Sequence, residues 1–229
     1  MLFSVIIPTR NRPEFLGDAV ASVLAQLGAN FELIIVNDGD TPVENFGDER
    51  ITVISSAGAG AVPARNLGVA TARGSIIAFL DDDDKWCDRR FLAVTQTVFE
   101  SGADFVFADG EFNFPDGRAP TPFAHDADAK TLSRDNTILI SAVCYRRGLH
   151  DVLGHFDEDL PYYWDWDWYL RVARAGKNLT HFNRNVVQIR IHVSNMSGNA
   201  NAGQRQMNLE RFAKKHALGE LTLKSHLDF

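Results

Sequence analysis

The chain has 229 residues, 45% of them hydrophobic and 23% charged, with a formal net charge of -7 and a pI near 5.5. That length and composition fit a soluble globular chain with a sizeable core, and no low-complexity tract or fixed-period repeat is present. An acidic balance argues against a large phosphate-backbone interface, so no nucleic-acid partner is expected, although an anionic small molecule stays open if a cation screens it. Cys87 and Cys144 are the only cysteines. Two cysteines make neither a zinc quartet nor a disulfide framework, and "MLFSVIIPTRNR" has no basic leader before its short apolar run. A reducing cytoplasm is therefore expected. No apolar stretch approaches the ~18 residues needed to span a membrane.

In chain order, "FSVIIP" (3–8) reads as a buried strand. "PEFLGDAVASVLAQL" (13–27) reads as a helix, with Phe15, Leu16, Ala19, Val20, Val23, Leu24 and Leu27 at helical spacing. "FELIIV" (31–36) and "ITVIS" (51–55) are further strands. "VPARNLGVATARG" (62–74) is a helix with Pro63 early and Gly74 just past its end. "SIIAFL" (75–80) is a strand, "DRRFLAVTQTVFESG" (88–102) a helix opened by Asp88, and "DFVFAD" (104–109) a strand. This alternation predicts an α/β fold with a mostly parallel central sheet flanked by helices. After residue 110 the pattern loosens. "EFNFPDGRAPTPFAHDADA" reads as a hairpin or mobile loop, "ILISAVCYRR" as a strand, "DWDWYLRVARAG" as a helix, "VVQIRIH" as a strand and "GQRQMNLERFAKKHAL" as a polar helix. One domain spanning 1–229 is expected.

Ligands of such sheets bind at the carboxyl ends of the strands, near the point where strand order reverses. That rule selects Pro8-Thr9-Arg10, Asn37 to Asp40, the run Asp81–Asp84, and Asp109. Four adjacent carboxylates repel one another by roughly a few kcal/mol unless water, a cation or an arginine answers them. A solvated acidic turn and a metal site are the two readings. Other motifs fail. "GAGAVP" (58–63) has Pro63 where a dinucleotide loop needs its third glycine. The aspartate run is no calcium loop, because Trp86 and Leu92 stand where glycine and a bidentate glutamate belong. No phosphate-binding P-loop, zinc-protease helix motif or hydrolase nucleophile elbow is present.

"SVIIPTRNR", "ELIIVNDGD", "ARNLGVATARGSIIAFLDDDDKW" and "YYWDWDWYLRVARAG" occur in an order and spacing that resembles the family-2 nucleotide-sugar glycosyltransferases of the GT-A fold, over about residues 3–195. The resemblance implies a nucleotide-diphosphate sugar donor held through Mn2+ or Mg2+ by an Asp-x-Asp motif. Asp81-x-Asp83 matches it, with Asp83 as the favoured ligand and Asp81 and Asp82 near the donor, although the register within the run stays open. Asp38 matches the acid that accepts a hydrogen bond from the nucleobase, Pro8, Thr9 and Arg10 the loop bordering base and ribose, and Arg65 a donor-facing arginine. In "QIRIHVSNMS" (188–197), Arg190 is implied as a phosphate contact and His192 as a metal ligand or phosphate donor.

The family usually carries a Glu-Asp pair where this chain has Trp164-Asp165, so Asp165 is implied as the catalytic base. A helix N-cap role for Asp165 stays open, and Asp167 competes for the base position in the same first turn. Trp164 and Trp168 offer ring faces for an acceptor sugar, or belong to the core. The whole implies a metal-dependent inverting transferase, with residues 1–109 as the nucleotide-sugar-binding half, 110–200 as the acceptor and catalytic half, and 201–229 as a helical tail. The acceptor is expected to be a saccharide or a lipid-linked glycan in surface polysaccharide synthesis. A membrane-bound acceptor would bring a cytoplasmic enzyme to the inner face of the membrane as a peripheral protein. The alternatives are a sugar nucleotidyltransferase and a nucleotide-sugar-binding protein without catalysis.

Overall fold

The computed structural model describes residues 1–192, 195 and 201–224. Residues 193, 194, 196 and 197 of the expected "QIRIHVSNMS" motif, and the last five residues of the tail, lie outside the described set. Nine strands form one sheet: β1 (Leu2–Thr9), β2 (Asn30–Asn37), β3 (Ile51–Ser55), β4 (Ile76–Phe79), β5 (Lys85–Trp86), β6 (Phe105–Asn113), β7 (Thr121–Phe123), β8 (Val143–Arg146) and β9 (Leu179–Arg190). Six α-helices are described: α1 (Pro13–Leu24), α2 (Ala61–Thr71), α3 (Phe91–Glu100), α4 (Leu149–Leu153), α5 (Trp164–Arg174) and α6 (Ala202–Lys215).

The strand order is β3-β2-β1-β4-β8-β6-β9-β5, with β7 beside β6. The expected α/β architecture is present, and its parallel part is β3-β2-β1-β4 together with the β6–β9 pair. Between them β8 runs antiparallel to both β4 and β6, which makes the sheet mixed. The Pro- and Asp-rich stretch after residue 110 closes as a hairpin, because β6 extends to Asn113 and pairs with β7.

Alternation along β1 explains why the sheet buries two faces. Phe3, Val5 and Ile7 pack with Leu16, Val20 and Val23 of α1 and Phe91, Leu92 and Phe99 of α3. Ile6 faces the opposite layer, with Val62 of α2, Trp168 and Tyr169 of α5 and Phe212 of α6. Ser4 also points into this strongly apolar setting and is tolerated because its hydroxyl donates to Glu32 at 2.6 Å. Glu32 also accepts from the backbone and Nε of Arg73, so a buried carboxylate is fully partnered.

Two helix boundaries differ from expectation. Helix α2 ends at Thr71, with Ala72 already extended, so Gly74 is no helix terminator. A Cβ on Gly74 would stand 2.7 Å from the Leu2 carbonyl and the Ser4 nitrogen, and close approach to β1 is what requires glycine there. Helix α5 starts at Trp164, with Tyr163 at the N-cap. Asp165 therefore lies inside the first turn and is not the cap. No described helix is long and apolar enough to cross a membrane.

Candidate active site

The carboxyl ends of β1, β2 and β4 open onto a cavity of about 580 Å³. Its walls include Pro8, Thr9, Arg10, Asp38, Arg65, Asp81 to Asp84, Trp164 and Asp165, so most of the residues singled out from the sequence converge on one space.

Asp38 follows β2 and is buried. Its Oδ1 accepts from Ser56 Oγ at 2.7 Å and from the Gly60 backbone at 3.0 Å, and Arg10 approaches Oδ2 at 3.5 Å. Gly60 sits at φ 110, a backbone that favours glycine, so one role of the "GAGAVP" loop is to aim a backbone N–H at this carboxylate.

The four aspartates divide by geometry. Thr9 donates to Asp82 Oδ2 at 2.7 Å and Arg12 donates to Asp82 Oδ1 at 3.3 Å, so both oxygens of Asp82 are engaged by protein. Burial, reinforced by the charges of Asp83 and Asp81, raises the Asp82 carboxyl to about 6 against the pull of Thr9 and Arg12. Asp81, Asp83 and Asp84 each present an oxygen, all within 4.8 Å of one another. Asp83 Oδ2 receives Arg12 at 2.8 Å and lies 2.9 Å from His192 Nε2. Asp84 accepts from Ser141 Oγ at 2.6 Å and from the Arg190 backbone at 3.2 Å. Burial and the charges of Asp83 and Asp81 push the Asp84 carboxyl well above the usual range, the mark of a carboxylate short of positive charge. Three converging hard oxygen donors with that deficit fit a divalent cation of the Mg2+ or Mn2+ type.

Arg65, on α2, bonds Asp81 through Nη2, donates to the Ala61 carbonyl at 3.0 Å and lies 4.6 Å above the Trp164 ring. Asp165 faces the same cavity from the first turn of α5. Burial raises its carboxyl to about 6, partly offset by hydrogen bonds from the Trp166 backbone and the Asn136 side chain. A carboxyl titrating near neutrality suits a general base.

Other expected residues lie elsewhere. Asp167 is fully buried away from the cavity and bonded by Lys215 at 2.6 Å, His216 at 2.8 Å and Arg171 at 2.8 Å. Burial alone would raise its carboxyl, yet these partners hold it at about 2. It ties α5 to α6 and is unavailable as a base or acceptor contact. Trp168 is a core residue stacked 4.3 Å from His150, so it offers no face to a sugar. Trp164 lines the cavity, but Arg65 covers one face and Phe156 and Phe79 meet it edge-on. Arg190 turns its guanidinium away, to Asp18 at 2.6 Å and over Phe15, and reaches the site only through its backbone. Asp109 does not line the cavity, because shifts in register between β6 and β9 leave it 2.6 Å from His181 Nε2. His181 is clamped by Asp126 on its other nitrogen.

Several lining residues were not singled out from the sequence. Arg12 was visible as the second arginine of "PTRNR", two positions after Arg10. Ser141 and Asn136 lie in stretches without periodicity. Arg205, Leu209, Thr222 and Lys224 place the C-terminal segment on the cavity wall, so it is more than a tail.

Residues 4–156 match the sequence profile of Glycosyl transferase family 2. The uncharacterized glycosyltransferase YwdF of Bacillus subtilis is 34% identical over 98% of this chain and 88% of its own length. The Escherichia coli UDP-Glc:alpha-D-GlcNAc-diphosphoundecaprenol beta-1,3-glucosyltransferase WfgD is 32% identical over 48% of this chain and 46% of that protein. Among solved structures, S. aureus TarS 1-349 in complex with UDP-GlcNAc superposes with a TM-score of 0.72 at 16% identity, over 97% of this chain and 68% of that one, a likeness of fold. The chain belongs to glycosyl transferase family 2 and is a glycosyltransferase of GT-A fold.

Proposed function

We propose that the protein is a metal-dependent, inverting transferase that moves a sugar from a nucleotide-diphosphate donor to an acceptor hydroxyl. The observation that carries this reading is that Asp81, Asp83, Asp84 and Asp165 line one cavity together with Asp38 and Thr9. The volume of about 580 Å³ lies in the range of small-molecule sites. Residues 1–109 supply the donor half, and Asn136, Asp165 and the C-terminal segment supply the acceptor half.

Asp38 accepts a hydrogen bond from the base, and Thr9 and Arg10 border the ribose. Asp83, with Asp81 and Asp84, would hold Mn2+ or Mg2+, with His192 beside Asp83, and a cation there would supply positive charge to the diphosphate leaving group. Arg65 orders Asp81 and adds a positive field at the donor. Asp165 removes the acceptor proton as the hydroxyl attacks the anomeric carbon from the face opposite the leaving group, which inverts the configuration.

WfgD is named for a UDP-sugar and a lipid-linked acceptor, and the TarS complex holds UDP-GlcNAc. A UDP-sugar donor and a saccharide or lipid-linked acceptor in surface polysaccharide synthesis follow as the expected substrates, with the enzyme cytoplasmic and peripheral at the inner membrane face. Incubation with UDP-, GDP- and dTDP-sugars, with Mn2+ or with a chelator, tests the reading. Metal-dependent release of free nucleotide diphosphate supports it. Pyrophosphate chemistry, or binding without any turnover, contradicts it.

A further inference from the structure

We infer that Asn136 is a positioning residue for the transfer reaction, fixing the Asp165 carboxylate through its side-chain amide. The inference rests on the reading of Asp165 as the base. Asn136 lines the cavity, and its Nδ2 donates to Asp165 Oδ2 at 3.0 Å across 29 residues of sequence. An ionised carboxylate only accepts hydrogen bonds, so the amide must present its nitrogen to Asp165 and direct its oxygen elsewhere. That oxygen, Oδ1, is buried and has no hydrogen-bond partner.

A buried, unsatisfied carbonyl costs about 1–3 kcal/mol, and native proteins hold few of them. A leucine of similar size would avoid this cost. Leucine would also lose the bond to the Asp165 carboxylate, worth a comparable ~1.5–3 kcal/mol. The two effects nearly cancel and stability gives asparagine little advantage, whereas the need for a donor aimed at a catalytic carboxylate favours it. Sites of this kind trade stability for function.

The surroundings of Asp165 show why an extra donor matters. Arg65, Asp81, Tyr163 and Tyr169 are the charged or titratable groups that act on it or feel it, from α2, the aspartate loop and α5 itself. Arg65 is committed to Asp81 and to the Ala61 carbonyl. Its remaining Nε is buried without a partner, so it does not orient Asp165. Beyond the Trp166 backbone, Asn136 is the side chain that fixes which oxygen of Asp165 faces the acceptor. Asn136 is itself held in place. Trp166 Nε1 donates to the Leu132 carbonyl at 2.7 Å, Thr137 Oγ1 to the Asp126 carbonyl at 3.3 Å, and Lys224 bonds Asp135. A base oriented by a rigid neighbour keeps reacting atoms in line, and its loss slows the reaction without weakening donor binding.

The test uses the full chain with Asn136→Leu, Asn136→Ala and Asn136→Gln, and Asp165→Asn as control. Turnover is followed with the nucleotide sugar that the wild type consumes fastest from a UDP-, GDP- and dTDP-sugar panel, alongside thermal unfolding. The Asp165 titration midpoint is read by carboxyl carbon NMR, which needs no substrate. Asn136→Leu is expected to keep or raise the unfolding temperature while lowering kcat about tenfold or more, with donor KM within about twofold. The midpoint of Asp165 rises in Asn136→Leu and Asn136→Ala, and Asn136→Gln recovers part of the rate. If kcat and the Asp165 midpoint stay at wild-type values, or unfolding temperature and kcat fall together while the midpoint stays put, the inference is overturned. Should Asn136→Leu not fold, Asn136→Ala decides by the same criteria. An active Asp165→Asn overturns the base assignment itself. An inactive Asp165→Asn beside a wild-type-like Asn136→Leu overturns only the role of Asn136.

Discussion

Arg65 stands 4.6 Å above the ring of Trp164 while its Nη2 bonds Asp81, so the residue next to Asp165 supports the arginine that answers the aspartate run. This gives a physical sense to tryptophan at position 164, where the family resemblance implies a glutamate. A glutamate beside Arg65 would draw its charge away from Asp81. A π-face holds the guanidinium by its quadrupole and leaves the hydrogen-bonding fork for Asp81.

Arg65→Lys keeps the charge and loses the fork and the stacking. It should raise donor KM about tenfold with a smaller effect on kcat, as read in initial rates over a donor series. Trp164→Ala removes a buried ring that also meets Phe156 and Phe79, and should cost about 3–5 kcal/mol of stability in denaturant unfolding.

Asp165 sets a pH dependence whose sign can be worked out. Its carboxyl is raised by burial to about 6 in the folded chain from an ordinary 3.8. The folded state therefore binds the proton more tightly, and the stability gained from the neutral acid is full below pH 3.8 and lost as pH rises through 6. Asp165→Asn should be more stable than wild type at pH 7.5 by about 1 kcal/mol after allowance for partial exposure, read as a higher unfolding temperature, and the difference should vanish near pH 4. Wild-type kcat should rise with pH through about 6.

The aspartate run makes a prediction that separates its members. Alanine at Asp81, Asp83 or Asp84 should raise the Mn2+ concentration for half-maximal activity about tenfold or more. Asp82→Ala should leave that concentration near wild type, because Asp82 is turned to Thr9 and Arg12 and is not among the aspartates whose oxygens converge. Metal titrations of the four variants provide the check.

Asp167 should behave as a structural ion. Asp167→Ala removes the buried carboxylate that answers His216 and Arg171, while Lys215 keeps Asp157, and should cost about 3 kcal/mol, with kcat per folded molecule near wild type. Its folded carboxyl sits at about 2, so its stabilisation is full above pH 3.8 and declines as pH falls through 2. Acid unfolding of wild type and Asp167→Asn measures it.

The first half of the chain was legible because its local signals agree with the fold. The apolar runs at Phe3, Phe31 and Ile76 are buried inside the sheet and the polar groups that follow them mark the strand ends, whereas Ile51–Ser55 forms the edge strand and leaves Val53 exposed. The convergence of Thr9, Asp38 and Asp81 on one rim follows from parallel strands alone. What escaped was set by long-range pairing. Asp109 also follows an apolar strand, but the register shift beside β9 gives it to His181. Asp165 and Asp167 share one first turn, but Asp165 faces the cavity beside Asn136 while Asp167 is taken up by Arg171, Lys215 and His216. Asn136 sits in a stretch with no period, and only its contact with Asp165 gives it meaning. The run Asp81–Asp84 announced a charge problem, and tertiary contacts from Thr9, Arg12 and Ser141 decide which oxygens are left for a cation.

The central claim is tested most directly by measuring donor affinity and turnover of Asp165→Asn and wild type side by side, by calorimetry and nucleotide-diphosphate release in the presence of Mn2+. The account predicts an unchanged donor Kd with kcat lower by about a hundredfold or more. Turnover at the wild-type rate, or donor binding lost in proportion to turnover, would contradict it.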